Sequence, residues 1–67
     1  MMVLGEVIKT RRAKLKLSQV DLAEMSGVSL ATVKDIERGK ANPSLRTVEK
    51  LIDVLGLEIS YHLRQTV

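Results

Sequence analysis

Cysteine is absent from the 67 residues, so no disulfide can staple the fold, and the composition suits a reducing, cytoplasmic setting. One histidine without any thiol leaves no zinc-finger-type ligand set, and no cofactor is expected. There is no glycine-rich phosphate loop, no cluster of metal ligands, and no bulk of chain with which to wall off a water-excluding cleft beside a nucleophile. These absences argue against an enzyme. No apolar run approaches the length needed to span a bilayer, and the first residues lack the apolar block of a signal peptide, so a membrane is not an expected partner. A chain of this size makes one domain, 1–67. Below roughly 70–80 residues a single core supplies only a few kcal/mol, and with disulfides and metals excluded, association with a second copy is the remaining support.

What is present is basic charge in two groups. Lys9, Arg11, Arg12, Lys14 and Lys16 fall within eight residues that contain no acid, although the net charge of the chain is only +3. A second group, Lys34, Arg38, Lys40, Arg46 and Lys50, is interleaved with Asp35, Glu37 and Glu49. Clustered cations on a small domain fit a polyanionic partner, and equally fit a solvated helix face.

Local signals place four helices within residues 4–56. Leu4, Ile8 and Leu15 recur at helical spacing over 5–15, with Arg12 on the same side. Ser18 is an N-cap, Asp21 three residues later completes a capping-box pair, and Leu17 with Leu22 forms a hydrophobic staple. Leu22, Ala23 and Val20 are assigned to the core, and Gly27 ends the helix. Ser29 caps a third helix with Val28 and Val33 as its staple. Val33 and Ile36 point inward, Leu30, Ala31, Thr32, Lys34 and Asp35 lie off the core face, and Gly39 is the stop. After the polar link at residues 40–43, Ser44 caps a fourth helix with the stripe Leu45, Val48, Leu51, Ile52 and Leu55, closed by Gly56. Two short helices joined by a tight turn at Gly27 form a helix-turn-helix, whose second helix can enter the DNA major groove.

The period then changes. Leu57, Ile59, Tyr61 and Leu63 alternate with Glu58, Ser60, His62 and Arg64, the pattern of a strand over 57–64 with one buried face. No second strand is present to pair with it, so pairing with the same strand of a second copy is the economical solution, and a frayed or helical tail is its rival. Leu57, Ile59, Tyr61 and Leu63 are the candidate dimer interface, with His62 on the solvated side.

Leu17-Ser18-Gln19, Leu22-Ala23, Gly27-Val28-Ser29, Val33, Ile36-Glu37-Arg38-Gly39 and Asn42-Pro43-Ser44 together resemble the Cro/CI-type, or XRE, helix-turn-helix family over residues 4–56. The resemblance implies an all-α domain of the lambda-repressor type. The strand-like tail departs from the fifth helix usual in that family and is similar instead to the HipB-like antitoxins. In those proteins the strands of two subunits pair, and the dimer represses its operon and binds a HipA-type kinase toxin. The family positions nearest the bases correspond to Ser29, Leu30, Ala31, Lys34 and Asp35, with Thr32 beside them. Leu30 and Ala31 can pack on thymine methyls, Asp35 can accept from a cytosine amino group, and Lys34 can bond guanine or a phosphate. Leu30 is alternatively a buried staple partner, and Asp35 a partner for a nearby cation. Gln19 resembles the family's backbone anchor, and Arg38, Lys40, Asn42 and Arg46 are further phosphate contacts. Arg12 and Glu37 correspond to a partly buried structural ion pair, which leaves Arg11 for DNA or solvent. The expected function is a homodimeric repressor on a palindromic double-stranded operator, serving as a HipB-like antitoxin. The alternatives are a free-standing phage or restriction-system regulator and a pure protein-interaction module.

Overall fold

A computed structural model describes residues 3–60 of the chain. They form α1 (Leu4–Lys14), α2 (Gln19–Ser26), α3 (Leu30–Glu37) and α4 (Leu45–Leu55), an all-α, four-helix arrangement. Three of the helices begin at a serine whose hydroxyl accepts from a backbone amide three residues on: Ser18 from Asp21, Ser29 from Thr32 and Ser44 from Thr47. At α2 the pairing is reciprocal, because the Ser18 amide also donates to Asp21 Oδ2 at 2.8 Å. Hydrogen bonding from Ser18 to this carboxyl, from the backbone amide first and the side chain second, holds Asp21 below its usual range. A caps box of this kind satisfies amides that the first turn otherwise leaves unpaired.

α1 is the exception at both ends. Its N-cap, Val3, supplies no side-chain hydrogen bond, and its stop is not a glycine. Lys16 takes the left-handed conformation at φ 58°, so that its amide reaches the Ala13 carbonyl and the Leu17 amide reaches that of Arg12. This double closure satisfies two last-turn carbonyls, and a side chain in that conformation is strained. Lys16→Gly is expected to raise stability by up to about 1 kcal/mol, the gain limited by the greater freedom of glycine in the unfolded chain. Thermal unfolding followed by circular dichroism checks this; a lowered midpoint would contradict the strained closure.

Ile8, Leu22, Ala23, Val33, Ile36, Leu51 and Leu55 form one buried cluster, with Leu4, Leu17, Val28, Leu30, Ala41, Val54 and Leu57 packed around it. α3 packs on α1 and α2, and α4 packs on the same two helices. Three residues assigned to the core from periodicity lie instead at the surface: Leu15 at 40% exposure, Val20 at 48% and Leu45 at 51%. Leu15 is the C-cap residue of α1, where the helical phase is already breaking. Val20 stands two residues before Leu22, about 200° around the helix from it. Leu45 shares the side of the α4 stripe, but the buried members of α4 all lie in its second half, so its first turn runs past the core.

Beyond Gly56 the Leu57 amide donates to the Ile52 carbonyl at 2.9 Å, and the Leu57 side chain packs on its own chain's core. Residues 57–60 are in neither helix nor strand. Tyr61, His62 and Leu63 lie outside the described residues, and with them the rest of the expected 57–64 strand. Among the described residues no helix is long and apolar enough to cross a membrane.

Candidate nucleic-acid interface

The helix-turn-helix is built by two apolar pairs. Leu22 and Ala23 of α2 and Val33 and Ile36 of α3 are buried together, and Gly27 turns the chain between them at φ 75°. Burying Val33 and Ile36, three positions apart, leaves the other side of α3 outward. Ala31, Lys34 and Arg38 are exposed there, with Thr32 and Asp35 half-buried. Ser29 is exposed, but its hydroxyl is committed to the helix start: it accepts from the Thr32 amide and donates to Thr32 Oγ1 at 2.8 Å. Leu30, assigned to the reading face, is half-buried and packs against the core, so only part of it faces outward.

Behind this face lies a charged network. Arg12 Nε donates to Glu37 Oε2 at 2.7 Å and Nη2 to Oε1 at 2.8 Å, a two-pronged pair joining α1 to the end of α3. Arg12 Nη1 reaches the Leu17 carbonyl at 2.8 Å, which adds the α1–α2 link to the same guanidinium. The Glu37 side chain is only 4% exposed and that of Arg12 14%. Burial by itself pushes the Glu37 carboxyl up; hydrogen bonds from Arg12 and Gln19, with the charges of Arg12 and Lys9, outweigh it and hold Glu37 below the usual carboxylate range. The same bonds to Glu37, against burial, keep Arg12 more firmly protonated than a free arginine.

Gln19, assigned to a backbone phosphate, donates its side-chain amide to Glu37 Oε1 at 3.2 Å. It therefore sits at the first turn of α2 with its side chain already oriented by the ion pair. Asp35, assigned to base reading, accepts from both Nε and Nη2 of Arg38 through Oδ1. Lys40 and Asn42 are exposed in the segment after α3. Arg46, assigned to the phosphate set with them, opens onto a separate groove beside Lys50, Asp53, Leu57 and Ile59. Arg11 is not left over for DNA or solvent: its Nε donates to the Leu55 carbonyl at 2.8 Å, closing the C-terminal end of α4, where a cation also meets the negative end of the helix dipole.

The structure adds one residue that sequence reasoning did not assign. Lys9 lines a groove with Arg12, Gln19, Lys34, Glu37 and Arg38. Its spacing of three from Arg12 places the two on one side of α1, and that was the available signal. Among the described residues no group of three or more histidine, cysteine or carboxylate side chains is placed to hold a metal ion.

Comparison with known proteins agrees with this geometry. The model of the helix-turn-helix family matches residues 8–62. The chain is 44% identical over 59 residues to the immunity repressor protein of Bacillus phage phi105, covering 88% of this chain and 41% of that protein. It is 36% identical over 56 residues to the HTH-type transcriptional regulator PuuR of Escherichia coli (strain K12), covering 84% of this chain and 30% of that one. An uncharacterized HTH-type transcriptional regulator of Archaeoglobus fulgidus is 40% identical over 52 residues, covering 78% and 73% respectively. The chain thus spans less than half the length of the first two relatives. With capped α2, a glycine turn and an α3 whose outer side stays clear of the core, and with a family match over most of its length, the chain belongs to the Cro/CI-type (XRE) helix-turn-helix family.

Proposed function

We propose that this chain is a sequence-specific DNA-binding transcriptional repressor, with α3 as its reading helix. The observation that carries the reading is the outward side of α3: Ala31 and Lys34, with Arg38 at the C-cap, stand exposed on a helix whose opposite side is locked into the core by Val33 and Ile36. A helix held in this way projects small, polar and basic side chains toward base edges without losing its packing. Ala31, Thr32 and the exposed part of Leu30 are the base-reading set, and Lys34 beside them bonds guanine or a phosphate. Asp35 joins it only by exchanging Arg38 for a cytosine amino group, and otherwise serves to orient Arg38. Arg38, Lys40 and Asn42, with Gln19 at the first turn of α2, contact phosphates; Arg46 belongs to this set only if the duplex extends to α4.

The repressor acts as a homodimer on a palindromic operator, with two copies of α3 about 34 Å apart in successive major grooves. Pairing through Ile59, Tyr61 and Leu63 is the proposed seam, with Leu57 tying it to the core. The similarity to a phage immunity repressor supports a free-standing regulator of that kind. The apolar–polar alternation over 57–64 favours a second reading, a HipB-like antitoxin, which predicts that a HipA-type kinase co-purifies with the chain. Sedimentation of the full chain and of a form truncated after Gly56 tests the seam; two monomers would remove it.

The reading helix is tested by titrating a duplex from upstream of the protein's own gene. Ala31→Asp places a carboxylate on the outer side of α3 and is expected to lower operator affinity by about a hundredfold, since it meets phosphates and offers no apolar contact. Lys40→Ala in the same assay weakens operator and random duplex alike. Unchanged operator affinity in Ala31→Asp would show that α3 does not read the bases.

A further inference from the structure

We propose that the groove between α1 and α3 seats one backbone phosphate of the bound duplex, gripped by Lys9 from α1 and Lys34 from α3; this rests on the DNA-binding reading above. The groove, about 490 Å³, is lined by Lys9, Arg12, Gln19, Lys34, Glu37 and Arg38. Its charges do not balance. Glu37, the one acid among them, is matched by the two-pronged bond to Arg12. Arg38 is engaged by Asp35, outside the groove. Lys9 and Lys34 have no ion-pair partner among the described residues.

Two lysines from different helices thus border one concavity without an ion pair of their own, and Glu37, whose charge Lys9 feels, is already bonded to Arg12. An anion between them relieves their repulsion and gains a hydrogen-bond donor from each. Lys34 settles which anion. It stands on the exposed side of α3 and also lines the groove, so a duplex docked on that side brings its backbone to the groove. The Arg12–Glu37 pair forms a rigid wall, and Gln19, held by Glu37, sets the first turn of α2 at the same groove. A phosphate seated there fixes how deeply α3 enters the major groove and carries no sequence information of its own.

Binding is measured by fluorescence anisotropy on two probes, a mixed-sequence 30-base-pair duplex (~30, long enough for two successive major grooves) and the duplex from upstream of the gene, between about 50 and 200 mM salt. Lys9→Ala is expected to make the plot of log affinity against log salt shallower by about 0.9 per bound protomer on both probes. Lys9→Gln should give the same slope as Lys9→Ala, and Lys9→Arg should keep that of the unmutated chain. Lys14→Ala, about 140° around α1 from Lys9, serves as the comparison and should leave the slope unchanged. A slope unaltered by Lys9→Ala and Lys9→Gln, or equally altered by Lys14→Ala, overturns the proposal while leaving the DNA reading intact. No binding of either duplex by the unmutated chain overturns the DNA reading and this groove with it.

Discussion

Gly5→Ala is expected to cost about 3 kcal/mol or more and to leave the chain largely unfolded at physiological temperature. Ordinary helix propensity predicts the opposite sign, because alanine replaces glycine in a helix at a gain of about 1 kcal/mol. The reversal comes from the end of α3. A methyl group on Gly5 collides with the Ile36 carbonyl oxygen, and lies 3.1 Å from the Glu37 oxygen and 3.2 Å from its carbonyl carbon. All three obstacles are backbone atoms, so no side-chain rotation relieves the clash and α1 and α3 must separate. That separation also pulls Glu37 from Arg12, so overpacking and loss of the ion pair act together. For a domain of this size, 1 kcal/mol moves the thermal midpoint by about 4–8 °C. A midpoint lowered by more than about 12 °C, or no cooperative transition, is therefore the expected result. A midpoint equal to or above that of the unmutated chain would mean that α1 does not approach α3 this closely.

Arg12→Ala carries the second large effect, about 3–5 kcal/mol, because it leaves the Glu37 carboxylate almost wholly out of water with only Gln19 as a donor. Replacing both members, Arg12→Met with Glu37→Leu, is expected to recover much of that loss, since no buried charge is then stranded. The pH dependence distinguishes this account from simple loss of packing. In the unmutated chain Glu37 is held below the usual carboxylate value, so its contribution is complete above that value, near 4.3, and is lost as pH falls through the lower, folded value. In Arg12→Ala burial is left as the leading influence and raises the Glu37 carboxyl. That variant is then most penalised at neutral pH and recovers, relative to the unmutated chain, as acid protonates Glu37. Midpoints measured from neutral pH down to about 4 should converge. If the gap between the two proteins widens in acid, the carboxylate is not the source of the penalty.

These two substitutions also mark how far the sequence can be read. The four helices were legible almost to the residue, because their ends are written locally. Ser18, Ser29 and Ser44 each close a bond to a residue three positions on, and Gly27 and Gly56 supply left-handed stops at the ends of α2 and α4. The outward side of α3 was legible for the same reason, since Val33 and Ile36 fix the phase of a short helix. Periodicity misled where phase was right but depth was not. Leu45 sits on the correct side of α4 and remains half exposed, because the first turn extends beyond the packed layer.

The residues that govern the site's rigidity belong to the other category. Arg11 and Arg12 are adjacent basic residues in an acid-free stretch, yet one closes α4 at the Leu55 carbonyl, 44 positions away, and the other pairs with Glu37, 25 positions away. The family resemblance implied the second pairing, which local spacing alone does not show. Gly5 looks like an ordinary helix residue until the α3 carbonyls lie against it. Lys9 looks like one cation among several until α3 brings Lys34 to the same groove. The sequence by itself determined where each helix starts, stops and turns its apolar side, because those choices are made by hydrogen bonds and side-chain spacing within a few residues. Only the tertiary structure decided which cations are spent on the fold and which face outward, because that depends on contacts between residues far apart in the chain.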